Sequence, residues 1–141
     1  MRWDGPEGYW ASDDRDLVDV ARVHSWLSQE AYWAKGRTLE VVKRSIEHSV
    51  VMGLYGVDRE QVGFARVVTD RSTFGWLCDV FVSASHQGKG LGSFLVEKVL
   101  VHPDLTGVRL ELAAVPGRSL YRRQGFAPLS APERWMERRL I

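Results

Sequence analysis

At 141 residues, with 45% hydrophobic and 26% charged side chains, the chain has the makeup of a single globular domain, residues 1–141, with one substantial core. A net charge of +1 gives no field of one sign, so neither nucleic acid nor a membrane is an expected partner. The lone Cys78 excludes an internal disulfide framework, no apolar stretch approaches about 18 residues, and Met1–Gly5 lacks a signal-peptide core, so a cytoplasmic location is expected.

Tyr9–Ser12 reads as a short opening strand. Asp13, Asp14 and Asp16 supply cap and first-turn carboxylates for a helix over about 17–30, where Leu17, Val20, Ala21, Val23, Trp26 and Leu27 recur at helical spacing. Tyr32–Arg37 has a glycine and no period, so it is a loop. Thr38 caps a second helix running through Leu39, Val42 and Ile46 to about Ser49. Strands follow at Val50–Tyr55, Gln61–Val68 and Phe74–Val82, and the short polar links between them imply an antiparallel meander.

Alternating glycines at 88, 90 and 92 then open a helix over about 90–101, stopped by His102-Pro103. Val108–Leu112 alternates as a strand, Ser119–Arg123 reads as a short helix closed by Gly125, and Phe126–Leu129 and Trp135–Arg138 read as final strands. The order is β-α-α-β-β-β-α-β-α-β-β. Strand-helix-strand across the glycine turn implies a parallel pair, so the fold class is α/β (α+β): a mixed, mainly antiparallel sheet flanked by helices on both faces.

Strand, glycine turn, helix is also the arrangement that points bare N–H groups at a phosphate. Glycine permits close approach, and the helix N-terminus adds the positive end of its dipole. Gln87, Gly88, Lys89, Gly90, Leu91, Gly92 and Ser93 form this candidate diphosphate site.

Gln87-x-x-Gly90-x-Gly92 resembles the acyl-CoA pyrophosphate signature of the GNAT acetyltransferase superfamily, and Leu120-Tyr121-x-x-x-Gly125-Phe126 resembles its second signature. The gap between them suits one helix and one strand, and the element order is similar over nearly the whole chain. The segments Tyr32–Arg37 and Trp76–Val82 look like those of a widespread, mostly uncharacterised bacterial branch. The resemblance implies a GNAT-type sheet, acetyl-CoA as co-substrate, and pantetheine held by the backbone at Val80, Phe81 and Val82. It implies that the amides of Gly88–Ser93 hold the pyrophosphate, that Lys89 adds charge there, and that Tyr121 is the general acid beside the thioester sulfur. An Asn usual before the tyrosine is missing from Ala113–Ser119, where Ser119 or backbone groups would substitute. Dimerisation is common in the superfamily, so a homodimer is an expected assembly.

Acetyl transfer to an amine needs a neutral amine, a polarised carbonyl and a protonated leaving thiolate. Asp79 is the candidate base or amine binder. A carboxylate inside an apolar strand is unfavourable without a partner or a task, and a structural hydrogen bond to a nearby loop amide is the other reading. Tyr121 is otherwise a packing residue. Cys78 reads as buried filler, because nothing nearby would lower its pKa. Tyr32, Trp33 and Arg37, with Trp76, are the acceptor-binding candidates: aromatics and a guanidinium suit a cationic or planar amine, or an acceptor carboxylate. Trp135 is a further cleft candidate. Of the four histidines, His86 adjoins the phosphate turn, whereas His24 reads as a surface or packing residue, His48 as a helix-end residue and His102 as a loop residue. With one cysteine they give no metal-ligand spacing, so no metal is expected.

The expected function is an N-acetyltransferase moving acetyl from acetyl-CoA to a primary amine of a small molecule through a ternary complex. A non-catalytic acyl-CoA sensor and a protein or peptide N-acetyltransferase are the alternatives. A dinucleotide-binding domain is excluded because its glycine turn usually follows the first strand of a parallel sheet.

Overall fold

The computed structural model describes residues 1–30, 36–114 and 117–139. Six strands form one sheet whose spatial order is their sequence order: β1 (Arg2–Asp4), β2 (Trp10–Ser12), β3 (Val50–Tyr55), β4 (Gln61–Thr69), β5 (Phe74–Val82) and β6 (Arg109–Glu111). Neighbours from β1 to β5 run antiparallel, and β5 and β6 run parallel. The helices are α1 (Val20–Ser25), α2 (Leu39–Glu47), α3 (Leu91–Leu100) and α4 (Arg118–Arg123).

Local chemistry sets these boundaries. The Thr38 hydroxyl accepts from the Val41 amide and starts α2. The Asp70 carboxylate closes the β4–β5 turn, accepting from the Thr73 hydroxyl and from the amides of Thr73, Ser72 and Phe74. Those bonds, the Thr73 side chain's foremost, hold the Asp70 carboxyl well below the usual carboxylate range.

Alternation along β3 divides the interior in two. Val50, Met52 and Leu54 join Leu91, Leu95, Val96 and Val99 of α3, whereas Val51 joins Val23, Trp26, Leu27, Val42 and Ile46 on the opposite face. Helices therefore cover both faces, as the sequence predicts.

The structure departs from the sequence reading at both ends and in the first helix. The strand β1 is absent from the predicted order. Phe126–Leu129 and Trp135–Arg138 are not strands; a 3-10 turn at Pro132–Arg134 lies between them. Pro128 and Pro132 lack the N–H that a ladder needs. The Trp135 ring instead packs 6.2 Å from that of Phe74, with the Arg109 guanidinium 5.2 Å from its centroid. Trp135 thus covers the β5–β6 pair.

The predicted 17–30 helix is three pieces. Asp14 caps a 3-10 turn at Arg15–Leu17, Asp19 caps α1 by accepting from Arg22, and a π-helical stretch covers Trp26–Glu30. Asp13 caps nothing: its carboxylate meets His102 Nε2 at 2.7 Å. His102, read as a loop residue, is buried, and its Nδ1 accepts from the Asp104 amide.

Candidate active site

The site opens where β5 and β6 part. They pair only at Phe74–Arg109, Gly75–Leu110 and Trp76–Glu111. From Leu77 to Val82 that edge of β5 faces no strand among the described residues, which leaves backbone groups for a ligand. A cleft of about 320 Å³ lies here, lined by Trp76, Cys78, Asp79 and Val80 of β5, by Leu112–Ala114 after β6, and by Arg37, Arg66 and Tyr121.

A bulge shapes this edge. On β4 only Ala65 separates Phe64 from Arg66, whereas on β5 two residues, Asp79 and Val80, separate their partners Cys78 and Phe81. The extra residue returns Val80 and Val82 to the face of Leu77, toward α3. Phe81 turns the other way and stacks on Trp26 at 5.2 Å. At the bulge Asp79 has φ +54°, a left-handed conformation uncommon for a residue with a side chain.

The Asp79 side chain is 1% exposed, and its Oδ2 accepts from Arg37 Nη1 at 2.8 Å and from Arg66 Nε at 2.7 Å. Its Oδ1 is buried without a partner among the described residues. Arg66 Nη1 also donates to the Ser49 hydroxyl, and the Arg37 carbonyl meets His24 Nε2 at 3.0 Å. Arg66 is the site residue the sequence reading missed. The signal was available: it is a charge inside the apolar strand Gln61–Val68, as Asp79 is inside β5. Burial is the main cause that pushes the Cys78 thiol up to about 11, against the opposing pull of Arg66, so it is no ready nucleophile.

Tyr121 reaches the cleft from α4, which Gly117 opens at φ +79° and Gly125 follows at φ +97°. The Phe126 amide donates to the Tyr121 carbonyl, and the two rings meet edge to face at 6.0 Å. Two contacts dock α4 on α3. Gln124 Nε2 donates to the Ser93 carbonyl at 3.3 Å, and a Cβ on Gly92 would stand 3.1 Å from Leu120 Cδ1.

The glycine turn lies beyond the far end of β5. Gln87 Nε2 donates to the Val82 carbonyl at 2.9 Å and ties the turn to the strand. Gly88 and Gly90 have φ +79° and +75°, and Gly90 caps α3 without any side-chain bond to its first amides. A Cβ at either glycine would meet nothing within 4 Å, so the turn is open at both positions. Lys89 Nζ rests 3.4 Å from the Tyr9 hydroxyl, which in turn meets His86 Nδ1 at 2.7 Å. Uncapped amides, open space and an adjacent ammonium fit a diphosphate.

A family model described as the acetyltransferase (GNAT) domain matches residues 48–128, from the last residue of α2's cap to the segment after α4. The chain belongs to the GNAT acetyltransferase superfamily. A crystal structure of a GNAT-family candidate acetyltransferase from Xanthomonas campestris pv. campestris is 42% identical and superposes with a TM-score of 0.91 over 96% of each chain. A probable acetyltransferase from Staphylococcus aureus shares the fold at 22% identity and a TM-score of 0.74, over 94% of this chain and 99% of that one. A Gibberella zeae candidate acetyltransferase is 29% identical over an alignment of 107 residues that covers 63% of this chain; the chain spans about 60% of that curated relative's length. GNAT enzymes transfer acetyl groups and take acetyl-CoA as co-substrate.

In this GNAT chain the cleft gathers Asp79, Arg37, Trp76 and Tyr121. The glycine turn and the Val80–Val82 edge stand beside it on the same strand. Tyr32 and Trp33 lie outside the described residues. No helix among the described residues is long and apolar enough to cross a membrane, and no metal-ligand cluster occurs among them.

Proposed function

We propose that this GNAT domain transfers an acetyl group from acetyl-CoA to the primary amine of a small molecule, in the cytosol, through a direct ternary complex. One observation carries the reading: the Tyr121 side chain lines the same cleft as the unpaired edge of β5, with the open glycine turn beyond the end of that strand. Acetyl-CoA supplies the activated acyl group. Backbone groups at Val80–Val82 hold its arm, and the amides of Gly88–Ser93, with Lys89, hold its diphosphate. Gln87 keeps the turn attached to β5.

The amine nitrogen bonds the acetyl carbon as the carbon–sulfur bond breaks. The amine loses one proton to water, and Tyr121 gives its phenolic proton to the departing sulfur and regains one from solvent. A cleft of about 320 Å³ suits an acceptor of metabolite size. Asp79, beneath the two arginines, acts by positioning them.

Thiol release from acetyl-CoA with a panel of amines tests the reading. Tyr121→Phe is expected to lower kcat about 100-fold or more with KM for acetyl-CoA nearly unchanged. Full turnover in that variant would remove the acid role.

A further inference from the structure

Resting on that reading of the cleft, we propose that the acceptor amine also carries an oxyanion, a carboxylate or phosphate, and that the Arg37 guanidinium captures it. Among the described residues, three charged side chains line the cleft: Arg37, Arg66 and Asp79. Two cations and one anion leave a surplus of one positive charge in a partly enclosed space. Exposure decides which charge an acceptor meets. The Asp79 side chain is 1% exposed, whereas Arg37 is 24% and Arg66 is 12% exposed. The carboxylate sits behind the guanidiniums, so the accessible wall is cationic.

The donor inventory agrees. Arg66 spends Nε on Asp79 and Nη1 on Ser49. Arg37 spends only Nη1 on Asp79, and its Nε and Nη2 donate to nothing among the described residues. A guanidinium with a free pair of N–H groups presents the fork that binds a carboxylate or phosphate in bidentate fashion. The fork is held in place. The Arg37 backbone is tied to His24 through its carbonyl, and its side chain is tied to Asp79 at the bulge. An oxyanion supplies the counter-charge that a partly buried cation requires. A polyamine brings further positive charge to the same wall and is repelled.

The strained Asp79 then has a purpose in positioning. Its φ of +54° and its Oδ1, buried without a partner among the described residues, are both costs, and they accompany the placing of one oxygen between two guanidiniums.

The test compares matched amines on the wild-type protein: amino acids against their carboxamides, and phosphoethanolamine against ethanolamine. Diamines and polyamines form a third arm. Thiol release reads turnover, and the thermal shift of the CoA complex reads acceptor binding without turnover. The expected result is a kcat/KM at least about tenfold higher for the acidic member of a pair. The pair that responds separates carboxylate from phosphate. Arg37→Ala should collapse that ratio toward one by raising KM for the acid while leaving KM for acetyl-CoA unchanged. The wild-type comparison stands even where the variant does not fold. Equal or better use of carboxamides or polyamines overturns the inference, as does an absence of any binding by acidic amines. Binding of an acidic amine without transfer upholds the inference and sinks the transferase reading.

Discussion

Two adjacent residues of β5 carry reactive groups, and their surroundings give them opposite fates. Cys78 lines the cleft, yet burial pushes its thiol up to about 11, so almost none is thiolate at neutral pH. A direct ternary complex has no need of it. Cys78→Ala is therefore expected to keep its turnover, with initial rates showing no acetyl-enzyme half-reaction. The wild-type thiol should alkylate with iodoacetamide roughly a hundredfold more slowly than free cysteine at pH 8. Rapid alkylation that abolishes activity would reopen a covalent route. Asp79 is buried too, but its Oδ2 lies within 2.8 Å of Arg37 Nη1 and 2.7 Å of Arg66 Nε. A charged residue in an apolar strand was legible as significant from the sequence. Its partners were not, because Arg37 and Arg66 are 42 and 13 residues away along the chain.

Among the elements, α3 is the one on which both halves of the site depend. Its first amides belong to the candidate diphosphate site, and its glycine side lets α4 approach. The 3.1 Å clearance between a Cβ on Gly92 and Leu120 leaves no room for a branched side chain. Gly92→Val is expected to push α4 outward and carry Tyr121 with it. Overpacking of this kind costs about 1–3 kcal/mol, so Tm should fall. The kinetic signature is a kcat lowered roughly 10- to 100-fold, with a smaller change in KM for acetyl-CoA because the backbone amide of the turn is retained. An unchanged kcat alongside a lowered Tm would mean that Tyr121 does not travel with α4. Elements with strong local signals were readable in advance: the β3–β4–β5 meander, α2 with its threonine cap, and α3 after the glycines. The ends were not. Three residues of β1 are too few to show a period, and the aromatic residues near 126 and 135 read as strand where they pack instead as covers.

At the scale of the whole molecule, the hairpin turn at Asp70 links stability to pH. Its carboxyl is depressed in the folded chain and returns to about 4 when the chain unfolds. The unfolded state therefore binds the proton first. The stabilisation is complete above roughly pH 5 and is lost as pH falls below about 4. Asp70→Ala should lower Tm at pH 7, and its gap to wild type should shrink in melts taken toward pH 3. A gap that stays constant over that range would mean that the turn does not depend on ionisation. The sheet order has a consequence for how the chain comes to be folded. Because spatial order repeats sequence order among the described strands, each of them after the first finds its partner already made when it leaves the ribosome, and none of them has to wait for a later one to be inserted beside it. Chemistry arrives on a different schedule. β6 and α4 are made after the other strands, and until they appear β5 has an edge but no cleft; synthesis builds the scaffold before it builds the site.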